Sequence, residues 1–250
     1  MGARKGRDVP AWFTSEPEFV STTFQATNLG VDCAILSMIG NMYGFMIKCP
    51  EFGDRRMAPE INGSVEGRIG RGIAAYHSSV GAPAAAMLME TLIASGVKKI
   101  VMFGYAGSLS NECRVGDILV PDWGVREEGT SYHYLPGSVG VRASDMLVTR
   151  LCESLGRRHF HRGGIWSTDA AYRETRGKIL KYAKKGIMAV DMESTGLMAI
   201  AMYRSAEFAP LVVISDELFG DRWVPDFDSP KVRRASMTAC RAALRALGCR

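Results

Sequence analysis

The stretch Pro83-Ala-Ala-Ala-Met-Leu-Met-Glu-Thr-Leu-Ile-Ala-Ser-Gly-Val-Lys-Lys-Ile-Val-Met-Phe103 holds both halves of an α/β unit. From Pro83 to Ala94 apolar side chains recur at helical spacing, and Pro83 suits the first turn, where its missing N–H is no loss. Gly96 stops that helix, and Lys99–Phe103 follows as a short apolar run suited to a buried strand. Working outward, Cys33–Ser37, Ile73–His77, Asp117–Pro121, Gly186–Val190 and Pro210–Ser215 read as further strands, most of them bounded by Gly, Pro or polar residues. Ser194–Tyr203 and Pro230–Leu247 read as helices, the second entered through Asp228-Ser229-Pro230. Strands alternating with helices predict an α/β fold on one sheet. No repeat or low-complexity linker interrupts the chain, so residues 31–250 are expected to form one domain after an N-terminal extension, residues 1–30.

The composition agrees. With 47% hydrophobic and 23% charged residues among 250, the chain sits at the globular average and is neither disordered nor fibrous. No apolar run approaches the ~18 residues of a bilayer span; even Gly72–Ala94 is broken by His77, Ser78, Ser79, Pro83 and Glu90. The basic start, Met1–Asp8, is followed by Trp12, Phe13, Glu16 and Glu18 rather than the apolar core of a secretion signal. The net charge of +5 gathers in the tails, at Arg4, Lys5, Arg7, Arg233, Arg234, Arg241, Arg245 and Arg250. Basic residues at helical spacing near the C-terminus read as a solvated face, and no nucleic-acid or membrane partner is expected. Cys33, Cys49, Cys113, Cys152, Cys240 and Cys249 lie far apart with no C-x-x-C pair or nearby His cluster. Neither a zinc site nor a disulfide framework is expected, and a cytoplasmic location is.

Three segments carry polar chemistry at the ends of apolar runs. Ile100-Val-Met-Phe-Gly-Tyr-Ala-Gly-Ser-Leu109 reads as a strand entering a turn at Gly104 and Gly107, with Ser108 beside it. Such a turn either aims backbone amides at an anion or simply connects strand to loop. Val190-Asp-Met-Glu-Ser194 closes a strand and opens a helix with two carboxylates, Asp191 and Glu193. A carboxylate can accept both vicinal hydroxyls of a ribose while Met192 packs on the sugar; equally, both acids suit a positive helix N-terminus. Leu211-Val-Val-Ile-Ser-Asp-Glu-Leu218 is an apolar strand ending at Asp216, a carboxyl group placed either to hold a proton for a leaving group or to cap a turn. Val125–Tyr134 and Trp166–Thr175 read as pocket-lining loops, with Tyr172 able to stack on a planar base and Arg173 able to bond its edge.

In this order the motifs resemble the nucleoside phosphorylase superfamily, over roughly Asp32 to Leu218. The best stretches are Ser79-Val-Gly-Ala-Pro-Ala84, Gly104-Tyr-Ala-Gly-Ser108, Val115-Gly-Asp-Ile-Leu-Val-Pro121, Val190-Asp-Met-Glu-Ser194 and Ser215-Asp216. Arg126-Glu-Glu-Gly-Thr-Ser131 is similar to the uridine phosphorylase branch, and Ser215-Asp216 to the purine branch. The resemblance implies a mixed, partly barrel-like central sheet flanked by helices, in a homo-oligomer whose sites lie near subunit contacts. It implies cleavage of a nucleoside, purine by preference, by phosphate to free base and ribose 1-phosphate, with a hydrolytic nucleosidase or a non-catalytic nucleoside binder as alternatives. The family's catalytic residues fall on Asp216 at the base and Glu193 at the sugar. Its substrate contacts fall on Val80, Tyr105, Ala106, Gly107, Tyr172, Arg173, Asp191 and Met192, and its phosphate contacts on Gly40, Arg56, Gly104 and Ser108. No metal or organic cofactor is implied; phosphate is the co-substrate. Two arginines usual at the family's phosphate site are missing, one of them replaced by Met102.

Overall fold

The computed structural model describes residues 10–248. The basic residues Arg4, Lys5, Arg7 and Arg250, and Cys249, lie outside them. In chain order the elements are β1 (Cys33–Ser37), α1 (Gly40–Lys48), β2 (Arg55–Met57), β3 (Ser64–Gly70), β4 (Ile73–Ser78), α2 (Ala82–Ala94), β5 (Lys99–Ser108), β6 (Ile118–Glu127), α3 (Ser131–Tyr134), β7 (Val141–Arg142), α4 (Asp145–Leu155), β8 (His161–Thr168), α5 (Arg176–Ala183), β9 (Ile187–Asp191), α6 (Ser194–Arg204), β10 (Glu207–Glu217), β11 (Val224–Pro225) and α7 (Pro230–Ala246). No helix among the described residues is long and apolar enough to cross a membrane.

The fold is α/β, and its 11-stranded mixed sheet closes on itself in part. β5 pairs with β10, β10 with β6, β6 with β8, β8 with β9, and β9 returns to β5. From this ring a flatter wing runs β5-β1-β4-β3-β2. β1 is buried along its whole length and β10 at all but its end residues, which is why both read as unbroken apolar runs. Helices α4 and α7 start with Ser144 and Ser229 as side-chain caps, and α7 carries Pro230 in its first turn. Before β1, residues 10–32 run past α2 and α6: the Tyr203 hydroxyl donates to Glu18 at 2.9 Å, and the backbone N–H of Thr27 donates to Ser95 Oγ at 3.1 Å.

Several expectations are corrected. The strand that begins at Lys99 does not stop at Phe103 but runs to Ser108, so Gly104–Ser108 is extended strand rather than a turn. The glycine there makes room: a Cβ on Gly107 would lie 2.8 Å from Asp216 Oδ2. The Val125–Tyr134 and Trp166–Thr175 stretches are not simply loops, because they begin as the ends of β6 and β8 and continue into α3 and a 3₁₀ turn at Ala171–Arg173. Trp166 is wholly buried. Arg126 is spent on the chain itself, donating to Ser131 Oγ and to the carbonyls of Leu135, Pro136 and Val139.

Candidate functional site

The site grows from one topological event. β5 pairs in parallel with β1 through Met102, and from Gly107 onward it pairs instead with the antiparallel β9. Between these two partnerships Phe103–Ala106 loses its neighbour on that side, and a crevice opens at the C-terminal ends of β1, β4 and β9, where α/β sheets place ligands. Tyr105 looks across it, its hydroxyl 3.5 Å from Asn41 Oδ1 on α1.

Glu193 stands at the start of α6, with φ −135° and ψ −36°. Its carboxylate accepts the backbone N–H of Gly81 at 2.6 Å, which ties it to the loop between β4 and α2. Gly81 has φ +107°, a conformation that favours glycine over residues with a side chain. Val80, one residue earlier, is exposed, and the Gly81 bond brings the Ser79–Ala84 and Val190–Ser194 stretches together. Burial and the neighbouring Asp191 charge push the Glu193 carboxyl well above its ordinary range.

Asp191 takes the structural alternative. Oδ1 accepts from Ser167 Oγ at 2.5 Å, and Oδ2 accepts from the N–H and hydroxyl of Ser194, so the carboxylate links β8 to the first turn of α6. It is not presented to a ligand as a substrate-binding group; burial raises it too, against the pull of those hydrogen bonds. Met192 between the two acids is half-buried.

Asp216 pairs with Gly107 across β10 and β5, and Gly107 pairs with Val190 across β5 and β9. Those three residues form one rung spanning about 10 Å, and Glu193 follows Val190 three residues later at the start of α6. Asp216 Oδ1 accepts from Ser215 Oγ at 2.7 Å and Oδ2 from the Trp223 indole at 2.8 Å. Burial raises the carboxyl above the usual range, and these two bonds draw it back. Trp223 sits just before β11, which pairs with β10 at Asp216–Pro225. Its ring meets Phe227 edge-on at 6.4 Å, and Phe227 lies 6.3 Å from Tyr105, so an aromatic set covers the Asp216 end.

Other expected residues fall elsewhere. Ala106 is buried in β5. Tyr172 is fully exposed, and neither it nor Arg173, also exposed, is buried at the crevice. The phosphate set is not gathered. Ser108 is buried, its hydroxyl donating to the Ser110 carbonyl and accepting the Ser110 N–H, and Gly104 lies within strand. Arg56 donates to the Leu29 carbonyl at 3.0 Å on edge strand β2. The rung Arg56, Ile69, Ala74, Ala34, Ile100 puts it four strands from β5, about 19 Å away. Gly40 does open α1 at the crevice, where a Cβ would meet His77 at 3.5 Å.

Sequence reasoning gave no role to Glu174 or His77. Burial first, then the charges of Asp216 and Asp191, push Glu174 up to about 7. The only local signal was an acid inside the polar Trp166–Thr175 stretch. A cavity of about 1130 Å³ lies away from this chemistry, between the N-terminal segment and α2, α3 and α6; neither Glu193, Asp216 nor Tyr105 lines it.

Comparison with known proteins matches this architecture. A DeoD-type purine nucleoside phosphorylase of Bacillus cereus is 23% identical over 154 residues, 60% of this chain and 66% of that protein. The crystal structure of uridine phosphorylase from Vibrio fischeri ES114 superposes with a TM-score of 0.73 at 21% identity, over 89% of this chain and 93% of that one. AMP nucleosidase from Bacteroides thetaiotaomicron gives 0.66 at 21% identity, over 85% and 87%. These likenesses establish the fold. The family described as the Phosphorylase superfamily matches residues 59–248, a span that begins after Gly40 and Arg56 and includes Glu193 and Asp216. By that match the chain belongs to the phosphorylase superfamily.

Proposed function

We propose that this chain cleaves the N-glycosidic bond of a nucleoside, with Glu193 at the sugar and Asp216 at the base. The observation that carries this reading is the rung Asp216, Gly107, Val190, which sets a carboxyl raised by burial two strands from the β9–α6 junction where the Gly81 amide pins Glu193, and so supports one shared site. The C1′–N bond breaks with its electron pair leaving on the base nitrogen, and the proton on Asp216 passes to the base. Positive charge then develops on the sugar, next to Glu193, whose carboxylate accepts the ribose hydroxyls. Trp223 and Phe227 supply ring faces for the base, and Met192 packs on the sugar.

The acceptor that the geometry of the single chain favours is water, which adds its oxygen to C1′ and gives up a proton that restores the one Asp216 passed to the base. A phosphate dianion needs charge-assisted donors, and here Met102 stands in place of one family arginine while Arg56 is four strands away. The likeness to a nucleosidase accommodates this reading and the likeness to uridine phosphorylase the other. Phosphorolysis to ribose 1-phosphate is the second reading. Arg56 on an exposed edge strand favours it, since a neighbouring copy in a homo-oligomer would take that side chain into its own site. The DeoD-type relative favours a purine base and the uridine phosphorylase likeness a pyrimidine.

Incubating the protein with inosine, adenosine, guanosine, uridine and methylthioadenosine, with and without phosphate, tests both. Base release that ignores phosphate supports hydrolysis, and release that requires it supports the second reading. Tight nucleoside binding with no base release overturns catalysis.

A further inference from the structure

On the loop that enters β6 and at the start of β8, the fold collects a second group of reactive side chains. The Cys113 sulfur, an Asp117 carboxylate oxygen and an His161 ring nitrogen all lie within 4.8 Å of one another. His161 Nε2 is 3.1 Å from Asp117 Oδ2, and His159 Nε2 is 3.9 Å from the same oxygen. The two imidazoles meet edge to face with centroids 4.7 Å apart. Two of the four histidines in the chain thus converge on one carboxylate.

We propose that Cys113, Asp117, His159 and His161 form a structural binding site for one divalent cation of the zinc class. The donor set of one sulfur, one oxygen and two nitrogens suits a borderline-soft ion, whereas magnesium and calcium take oxygen ligands. Around a tetrahedral zinc the donor atoms stand about 3.3–3.8 Å apart, as bond lengths of about 2.0–2.3 Å require. The Cys113, Asp117 and His161 donors therefore need to draw together by at most about 1–1.5 Å from the spacing already present, and the exposed His159 ring swings in to join them. A thiolate and a carboxylate balance the two positive charges of the ion, which leaves a neutral complex where Cys113 is wholly buried and the His161 side chain is 13% exposed. As the sulfur–metal bond forms, the thiol proton leaves to solvent; nothing is oxidised or reduced. His159, whose side chain is 72% exposed, stands at the entrance and closes the shell after the ion enters. Asp117 is already oriented by the backbone N–H of Arg114, which donates to Oδ2 at 2.8 Å, the outer-shell support that ligating carboxylates use.

A metal here would act on the rest of the fold. Gly116 N–H donates to the Ile214 carbonyl and Ile214 N–H to the Asp117 carbonyl, so the loop grips β10 two residues before Asp216. His161 pairs with Leu119 on the adjacent strand. The ion would clamp β6, β8 and β10 together beneath the catalytic carboxyl. The expectation of no zinc site followed from local spacing, and Asp117 and His161 are 44 positions apart.

Titration of the chelator-treated full chain with Co²⁺ tests the assignment. One equivalent should bind with the intense visible bands of a tetrahedral ion and a thiolate-to-cobalt charge-transfer band, and Zn²⁺ should displace it. Cys113→Ser should lose the charge-transfer band. His159→Gln, at an exposed position that leaves the core untouched, should weaken binding by more than about tenfold, the cost of even an outer-shell partner. Zn²⁺ should raise the melting temperature of the unaltered protein and not that of Cys113→Ser. Absence of binding, an octahedral spectrum without the thiolate band, or unchanged affinity in His159→Gln would each overturn the site, whatever the outcome of the nucleoside assays.

Discussion

At the Glu193 end of the crevice, carboxylates are held by the scaffold: Glu193 by the Gly81 amide, Asp191 by Ser167 and Ser194. At the Asp216 end one partner is Ser215, the adjacent residue, and the other is Trp223, an indole 59% exposed on the segment leading to β11. The Glu193 end is fixed by strands and helix starts, while the Asp216 end is completed by an exposed surface segment; under the proposed reaction these would be the sugar and base sides. Under that proposal the fold would fix its pentose contacts, leave its base cover adaptable, and keep one reaction while changing the base it accepts.

The sharpest way to break that contrast is at the base end. Asp216→Asn keeps the hydrogen bonds that an amide oxygen accepts but removes the transferable proton. Base release should fall by about 10²–10⁴-fold, the usual worth of a general acid, with the Michaelis constant little changed. Unchanged turnover in a steady-state assay would take the acid role away from Asp216.

Glu193→Gln probes the preorganised end. A charged hydrogen bond to a ribose hydroxyl contributes about 1.5–3 kcal/mol, so kcat/KM should drop by about 10–100-fold on a ribonucleoside. The drop should shrink on the 2′-deoxy analogue, which has one hydroxyl fewer to lose. Equal losses on the two sugars would move Glu193 out of the pentose site and leave it only the Gly81 bond.

Trp223→Phe should cost less, a few-fold in KM, because the ring face survives and only the indole N–H to Asp216 is lost. Its fluorescence gives a direct reading: a nucleoside that displaces the indole from the carboxylate should change Trp223 emission in the unaltered protein, and that change should vanish in the variant. A persisting signal would assign the movement to Trp12, Trp123 or Trp166 instead.

How much of this was legible in the chain follows from where each residue is buried. β1, β4, β5, β9 and β10 are strands with both faces covered, so their apolar runs stand out and draw the eye to Glu193 and Asp216 at strand and helix ends, whereas Val80 came with the family resemblance alone. β8 hides behind a polar start and Gly163-Gly164, glycines required because Met188 and Trp123 fill the space their side chains would take. α4 carries a readable stripe, Leu147, Val148, Leu151 and Leu155, that the strand pattern overshadowed. Gly104 to Ser108 looked like a turn because glycine favours both turns and close approaches, and only the register of β10 on β5 shows which. Glu174 owes its setting to Asp216 and Asp191, both distant in sequence, so no local pattern marks it.

Glu174 gives the smallest and most discriminating test, since the charges of both Asp216 and Asp191 act on it. Its carboxyl is raised from the ordinary 4.5 to about 7 by burial and by the charges of Asp216 and Asp191. Between those values the folded chain keeps a proton that the unfolded chain has released, so stability falls as pH rises from 4.5 to about 7 and then levels. Glu193 and Asp191, also raised, tilt the curve the same way, and only a difference between variants isolates Glu174. Glu174→Gln holds the neutral form at every pH. Its urea midpoint should match the unaltered protein below pH 4.5 and exceed it above pH 7, with the gap opening between. The same substitution removes a negative neighbour from Asp216, so the alkaline limit of base release should shift to lower pH. A stability gap without that shift would place Glu174 against Asp191 alone, tying it to the rigid sugar side rather than to the adaptable base side.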